Sequence, residues 1–145
     1  MKKILLLLLL LLGLMDIASA DDVPSNVLKF RYSNACGGCN LQGANLKMSD
    51  FPGANLSYAN LSEVNFNYTD LSGANFSGAN LSGAAFYKAD LIGANFSGAN
   101  VSGASSNMAN LSGANFSGTS LEKSVVSYAI LCKTITPWGT DNSGC

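Results

Sequence analysis

The motif with the most obvious chemistry is Cys36-Gly37-Gly38-Cys39, in which two glycines separate two cysteines. Such a pair can carry out thiol–disulfide exchange, supply part of a zinc site or attach a haem. Haem attachment requires a histidine at the next position, where this chain has Asn40. Zinc requires about four ligands, and the remaining cysteines, Cys132 and Cys145, lie at the far end of the chain. A structural role explains the motif best, and redox activity is the alternative.

Catalytic groups are otherwise scarce. The chain contains no histidine, the commonest general base and metal ligand, and no serine lies at a recognisable spacing from a base. Without residues 1–20 it would carry six basic and eight acidic residues, and the basic ones are not clustered as a nucleic-acid-binding surface requires. We therefore expect no enzymatic activity, no cofactor, no metal and no nucleic-acid partner.

The first twenty residues have the pattern of a signal peptide. Lys2 and Lys3 precede the apolar run Ile4–Leu12, and Ala18-Ser19-Ala20 supplies the small residues that signal peptidase needs. This run is shorter than the roughly 20 residues that span a bilayer, which favours a cleaved signal peptide over a membrane anchor. Cleavage after Ala20 would leave no membrane span. The many Asn-x-Ser sequons would be glycosylated in a eukaryotic secretory route, and bulky glycans at so many positions would crowd one another, which favours a bacterial source. We therefore expect export to a bacterial periplasm or to the extracellular medium.

A five-residue repeat must position the remaining side chains. From Cys39 to Lys133 the chain divides into nineteen units without insertion or deletion, and we call the middle residue of each unit its centre. Every centre is Leu, Phe or Val except Ser106, for which the sequence offers no functional account. A small residue, mostly Ala, precedes the centre by two positions, Asn or Asp usually comes directly before it, and Gly often closes the unit. A period of five fits neither a helix nor a strand, whereas Gly and Asn suit repeated turns. This pattern predicts a solenoid that turns a corner every five residues.

Units such as Ala54–Tyr58 and Ala89–Gly93 match the motif A-(D/N)-L-x-x, and the chain resembles the pentapeptide-repeat family over about three quarters of its mature length. The resemblance implies an all-β fold, the right-handed quadrilateral β-helix, with four units per coil and about 4.75 coils here. The expected organisation is a signal peptide at 1–20, an N-terminal cap containing the C-x-x-C motif at 21–38, the solenoid at 39–133 and a C-terminal cap at 134–145. Trp138 is the expected plug of the last coil.

On a twenty-residue coil, one column of closing positions collects large side chains instead of glycine. We call this column, together with Tyr87 beside it, the stripe; its members are Met48, Tyr68, Tyr87, Lys88, Met108 and Tyr128. Exposed Tyr and Met are enriched at binding surfaces, which makes the stripe the candidate partner surface. The alternative is that this wall uses a turn type that does not require the positive φ of glycine.

Two other sets of polar residues form columns on the same wrap. Asp50, Asp70 and Asp90 form an acidic column next to the stripe, stacked about 5 Å apart. This column is a weak cation site, an acidic edge or simply Asp in the place of Asn; the last is favoured, because three carboxylates in a row do not enclose an ion. On another wall, rows that could hydrogen-bond along the rod are expected from Asn55, Asn75, Asn95 and Asn115 and from Ser57, Ser77, Ser97 and Ser117.

The implied fold also selects a cysteine pairing. Cys36 and Cys39 would lie at one end of the rod and Cys132 roughly 20 Å away, beyond the Cα separation of about 7 Å that a disulfide allows. The fold therefore implies the pairs Cys36–Cys39 and Cys132–Cys145, which an oxidising compartment permits. The cysteine pattern is also similar to the termini of exported members of the family.

These features predict an exported structural scaffold or protein-interaction module with an unknown protein partner. One alternative is a DNA mimic that acts on a type II topoisomerase, as some relatives do, but low acidity and export disfavour it. Another is ice binding or other ligand binding by a regular surface, which the lack of threonine arrays disfavours. End-to-end or dimeric association of the rods is left open.

Overall fold

The structure is a computed structural model that describes residues 23–145 apart from Ser124. The predicted signal peptide, residues 1–20, lies outside the described residues. Regular elements are few: the helix α1 (Val23–Ser33) and the strands β1 (Thr134–Thr136) and β2 (Gly139–Asp141). Within the part of the chain that the structure describes, no helix is long and apolar enough to cross a membrane.

Parallel β-bridges between residues twenty apart hold successive coils together. On one wall they join Asn40 to Asn60, Asn60 to Asn80 and Asn80 to Asn100, and equivalent bridges occur on the other walls. The amide of Leu41 donates to the Asn60 carbonyl at 2.8 Å, and the amide of Gly43 donates to the Ser62 carbonyl at 2.8 Å. The same two bonds recur along most of the rod, so each coil contains twenty residues and four repeat units.

The centres and the small residues fill the interior of the rod, as the repeat predicts. Phe76 stacks on Phe96 with ring centroids 4.9 Å apart, and Phe96 stacks on Phe116 at 4.5 Å. These spacings match the separation of about 4.8 Å between hydrogen-bonded strands. Equivalent side chains in successive coils therefore stack directly, and Phe76, Phe96 and Phe116 form one column.

The bridged ladder extends one unit beyond the predicted boundaries, 39 and 133, at each end. Cys36 occupies a centre position, is 1% exposed and donates its amide to the Asn55 carbonyl. At the other end, Asn115 bridges Ile135, and the following residue, Thr136, is a buried centre. The sequence pattern missed these units because their centres are Cys and Thr rather than Leu, Phe or Val.

The helix α1 lies against the first coil, so the prediction of an all-β fold is incomplete. Phe30 is fully buried, and its ring centroid is 4.4 Å from that of Phe51. Asn26 and Arg31 donate side-chain hydrogen bonds to the carbonyls of Asn40 and Asn45 at 3.0 and 3.1 Å. These bonds satisfy backbone acceptors on the first coil that have no preceding coil to pair with.

The C-terminal segment forms an antiparallel hairpin, in which β1 pairs with β2. Trp138 lies in the connecting turn and is 41% exposed, so the prediction that it plugs the last coil is wrong. The buried residues of this segment are Thr134 and Thr136. Trp138 closes the unit that has Thr136 as its centre, and closing positions point away from the core.

One wall of the last coil departs from the regular register. Met108 donates its amide to the carbonyl of Tyr128, twenty residues ahead, whereas the equivalent bond of Lys88 reaches nineteen residues ahead, to Asn107. Before this shift the register is regular, and the carbonyl of the buried Val125 accepts hydrogen bonds from both the amide and the hydroxyl of Ser106. Ser106 is 4% exposed. Its polar side chain is therefore tolerated at a core position because the Val125 carbonyl of the next coil is within hydrogen-bonding reach of the hydroxyl.

Candidate functional site

The closing residues of the stripe project from the rod at five successive levels. Exposed fractions are 70% for Met48, 48% for Tyr68, 53% for Met108 and 85% for Tyr128. Lys88 is also exposed, and Tyr87 is half-buried. The structure thus brings the six predicted residues to one edge of the molecule, because each coil repeats the same path twenty residues later.

All five closing residues of the stripe have positive φ. The values are 53° for Met48, 60° for Tyr68, 54° for Lys88, 59° for Met108 and 63° for Tyr128. Glycines at closing positions on other walls have nearly the same φ, 66° at both Gly43 and Gly73. The alternative of a different turn type on this wall is therefore wrong: the turn is the same, and non-glycine residues adopt it. The left-handed conformation costs a non-glycine residue about 1–2 kcal/mol.

Only four other non-glycine residues have positive φ in the described part of the chain. They are Asn34, Tyr58, Glu63 and Lys133, and they do not form a column. Tyr58 is an exposed aromatic residue on a different wall, where its ring lies over Gly78. The stripe is thus the one column in the described residues in which every coil carries a non-glycine side chain in this conformation.

An aromatic cluster occupies the middle of the stripe. The rings of Tyr68 and Tyr87 meet edge to face, with centroids 5.4 Å apart. The ammonium nitrogen of Lys88 lies 5.9 Å from the centroid of the Tyr68 ring and 5.5 Å from that of Tyr87. Contacts of this kind between a cation and aromatic rings are attractive. They hold the charge of Lys88 beside the tyrosines.

The acidic column lies beside the stripe, and its residues pair from coil to coil. Asp50 bridges Asp70, and Asp70 bridges Asp90. One carboxylate oxygen of Asp70 accepts a hydrogen bond from the Ser72 amide at 2.9 Å, and Asp90 accepts one from the Ile92 amide at 3.0 Å. The repeat's asparagines make the same contact with the residue two positions ahead, which favours the interpretation that Asp takes the place of Asn. No group of residues able to hold a metal ion occurs among the described residues.

The most continuous asparagine ladder lies on a different wall from the predicted one. The side-chain amide of Asn60 donates to Asn40 at 3.1 Å, Asn80 to Asn60 at 3.3 Å, and Asn100 to Asn80 at 3.1 Å. On the predicted wall the axial contact is the one from Asn95 to Asn75, at 3.4 Å. The asparagines of that wall accept hydrogen bonds from the amides of the serines two residues ahead: Ser57, Ser77, Ser97 and Ser117.

Both predicted disulfides are present. Cys36 and Cys39 are linked with a Cα–Cα distance of 5.4 Å, and Cys132 and Cys145 with a distance of 4.7 Å. Cys36 is buried in the core of the first coil and faces the Asn26 carbonyl of α1 at 3.8 Å. The C-x-x-C motif is thus part of the solenoid wall under the helix.

Comparisons with known proteins agree with this architecture. The family model described as Pentapeptide repeats matches eight copies in residues 36–73, 69–105 and 107–135. A pentapeptide repeat protein from the Arabidopsis thaliana thylakoid lumen is 32% identical with a TM-score of 0.57, and the match covers 67% of this chain and 64% of that one. The present chain thus matches just under two thirds of the length of that protein. No curated protein matches this chain.

Two cyanobacterial structures show the same repeat with weaker global superposition. Rfr23 from Cyanothece 51142 is 28% identical over 74% of this chain and 94% of its own, with a TM-score of 0.37. A pentapeptide repeat protein from Nostoc PCC 7120 is 33% identical over 72% and 80% of the two chains, with a TM-score of 0.28. From the matched repeats and the twenty-residue coils, we conclude that this chain belongs to the pentapeptide-repeat family and folds as a right-handed β-helix solenoid.

Proposed function

We propose that this protein is an exported, non-enzymatic scaffold or protein-interaction module whose partner surface is the stripe. The observation that carries the proposal is the positive φ of all five closing residues of the stripe. Glycine adopts this conformation without steric strain and occupies most of the other closing positions. Backbone strain of this kind concentrates at functional sites. A binding role would account for large side chains at positions where glycine is less strained.

The geometry of the rod suits recognition of another protein. The bridges from coil to coil hold the backbone positions of the exposed Tyr and Met residues in a line, so little backbone needs to be ordered on binding. Tyrosine contributes a large contact area from only two side-chain torsions. A stiff, partly aromatic surface of this kind fits a binding module better than an enzyme active site.

Export is supported by two observations. Both cysteine pairs form disulfides, which persist in oxidising compartments. The similar Arabidopsis protein is located in the thylakoid lumen, a compartment that proteins reach by crossing membranes. We therefore place this protein outside the cytoplasm, in the periplasm or the medium if the source is bacterial.

The two terminal segments are proposed to act as caps on a rod of about five coils. The helix α1 covers backbone groups of the first coil, and the C-terminal segment packs on the last coil, where the Gly144 amide donates to the Leu131 carbonyl at 3.4 Å. Open strand edges would otherwise allow rods to pair with one another. Capping therefore favours a rod that presents its sides, rather than its ends, to partners.

The proposed function is tested by comparing partner capture by three forms of the tagged protein. These are the wild type, the triple variant Tyr68→Ala/Tyr87→Ala/Tyr128→Ala and the control Tyr58→Ala, which removes an exposed tyrosine from another wall. Envelope and culture-medium fractions supply the candidate partners, and circular dichroism checks the fold. We expect the triple variant alone to lose the captured partner. Capture of the same proteins by all three forms would contradict the proposal.

A further inference from the structure

On the basis of the proposed function of the stripe, we infer that the partner segment is a cationic amphipathic helix that lies along the rod axis. The acidic column and the stripe together form the docking face.

The stripe and the acidic column lie next to each other on each coil. Met48 and Tyr68 lie in the turns that close their units, and Asp50 and Asp70 follow two residues later at the bridged positions of the next units, so the members of each pair share a level. At the third level, Lys88 and Asp90 are followed by Ile92, which is 44% exposed. Two residues span at most about 7 Å, so a helix of about 10 Å diameter covers both columns.

Most of the acidic charge of the solenoid lies in the acidic column, which Lys47 and Lys88 flank. Between Asn34 and Trp138, all three aspartates lie in the acidic column, and the other acidic residues, Glu63 and Glu122, follow the centres of a different wall. The Lys88 ammonium is placed over tyrosine rings. Each carboxylate has about four lone-pair sites, so the backbone hydrogen bonds of Asp70 and Asp90 leave acceptor capacity for a partner cation. A line of carboxylates beside apolar side chains complements a helix with adjacent basic and apolar stripes.

The axial spacing favours a helix over a strand as the occupant. Successive coils are about 4.8 Å apart, and successive turns of a helix rise about 5.4 Å. Basic residues one turn apart therefore stay near register with the three aspartates, drifting by about 1 Å over two coils. Side chains on one face of a strand recur every 6.6–6.8 Å or so, so a strand would lose register by the third aspartate.

The test measures binding of fluorescent helical peptides to the purified, disulfide-bonded protein. One peptide of about 14 residues carries a lysine row beside a leucine row, and a second carries glutamate in place of lysine. A third has the composition of the first in an order that is not amphipathic. We expect only the first to bind, more tightly at about 50 mM salt than at about 300 mM, because salt screens exposed charges.

Two sets of variants assign the binding to the proposed face. Asp50→Asn/Asp70→Asn/Asp90→Asn uses the repeat's ordinary residue and should weaken binding of the lysine peptide by about tenfold, from three exposed ion pairs. Asp70→Asn alone should weaken it more than Glu63→Gln, which removes the same charge from another wall. Equal effects of these two single variants, or equal binding of the lysine and glutamate peptides, would overturn the inference.

The same variants separate this inference from the proposed function. If the tyrosine triple variant loses its captured partner while the aspartate triple variant retains it, the stripe binds a partner but the cationic helix is the wrong occupant. If neither triple variant loses the partner, both proposals fail. Loss with both variants, together with tight binding of the lysine peptide, supports both.

Discussion

Gly144 packs so closely against Leu131 that a Cβ atom on Gly144 would lie 2.5 Å from the Leu131 amide nitrogen. The same atom would lie 2.9 Å from a side-chain methyl of Ile130. The neighbouring disulfide, Cys132–Cys145, and a hydrogen bond from the Lys133 amide to the Asn142 side chain at 3.1 Å hold the chain terminus in this position. The last residues are therefore packed on the final coil.

Substitution of Gly144 should destabilise the protein, because the backbone of Leu131 cannot move without disturbing the ladder. We expect Gly144→Ala to lower the free energy of unfolding by about 1–3 kcal/mol, as overpacking does. In the control Gly37→Ala, the new Cβ would meet the Ser57 hydroxyl at 3.4 Å, and the effect should be smaller. Urea unfolding measures both, and equal stabilities of the two variants would argue against the tight packing.

Replacing a strained closing residue of the stripe by glycine should not destabilise the rod. Met48 is 70% exposed and has a φ of 53°. Met48→Gly removes about 1–2 kcal/mol of backbone strain from the folded state. The added freedom of glycine in the unfolded chain lowers the stability by about 0.5–1 kcal/mol. We expect Met48→Gly to be more stable than Met48→Ala, which keeps the strain. A glycine variant less stable than the alanine variant would show that the left-handed turn is not a source of strain.

The two disulfides should contribute unequally to stability. Cys132 and Cys145 are 13 residues apart in the sequence and Cys36 and Cys39 only 3, and a longer closed loop restricts the unfolded chain more. We expect Cys132→Ser/Cys145→Ser to cost about 3 kcal/mol and Cys36→Ser/Cys39→Ser about 2 kcal/mol through this effect. Thermal unfolding under non-reducing conditions provides the comparison. If Cys132→Ser/Cys145→Ser loses less stability than Cys36→Ser/Cys39→Ser, then the packing of Cys36 under α1 contributes more to stability than loop length does.

Acid should loosen the C-terminal hairpin through Asp141. A hydrogen bond from the backbone amide of Ser143 is the main cause that lowers the pKa of this carboxyl. Hydrogen bonds from the Ser143 and Trp138 side chains and the positive charge of Lys123 lower the pKa further. Because the folded pKa lies below the unfolded value of about 3.9, the stabilisation is present above that value and is lost as pH falls through the folded pKa. Trp138 fluorescence should therefore change below about pH 4, and Asp141→Asn should remove this transition. An unchanged transition in the variant would assign it to another group.

Parts of the molecule that depend on periodic inward side chains could be predicted in detail. The inward-facing centres follow from a bulky apolar residue at every fifth position. The twenty-residue coil was implied by the resemblance to the family, and wrapping the sequence on that coil gave the phenylalanine column and the location of the stripe. The cysteine pairing followed once the fold was implied, because the rod separates its two ends. The export signal at 1–20 and the role of the stripe remain predictions.

The missed features lie where the local pattern gives no signal. Val27 and Phe30 have the i, i+3 spacing of one helix face, which could have indicated α1. The terminal units were missed because a buried Cys36 and Thr136 take the place of large apolar residues. Trp138 was expected inside because it is large and apolar, but its position within the unit directs it outward.

The sequence by itself determined the solenoid, since the five-residue period selects which side chains point inward irrespective of distant contacts. Tertiary structure decided the backbone conformation of the stripe and the packing of both ends. Met48 and Tyr68 adopt a positive φ although they are not glycines, because backbone hydrogen bonds to the neighbouring coils impose the turn. The position of Gly144 against Leu131 likewise depends on the folded last coil and the closed disulfide, which bring together groups that the local sequence does not relate.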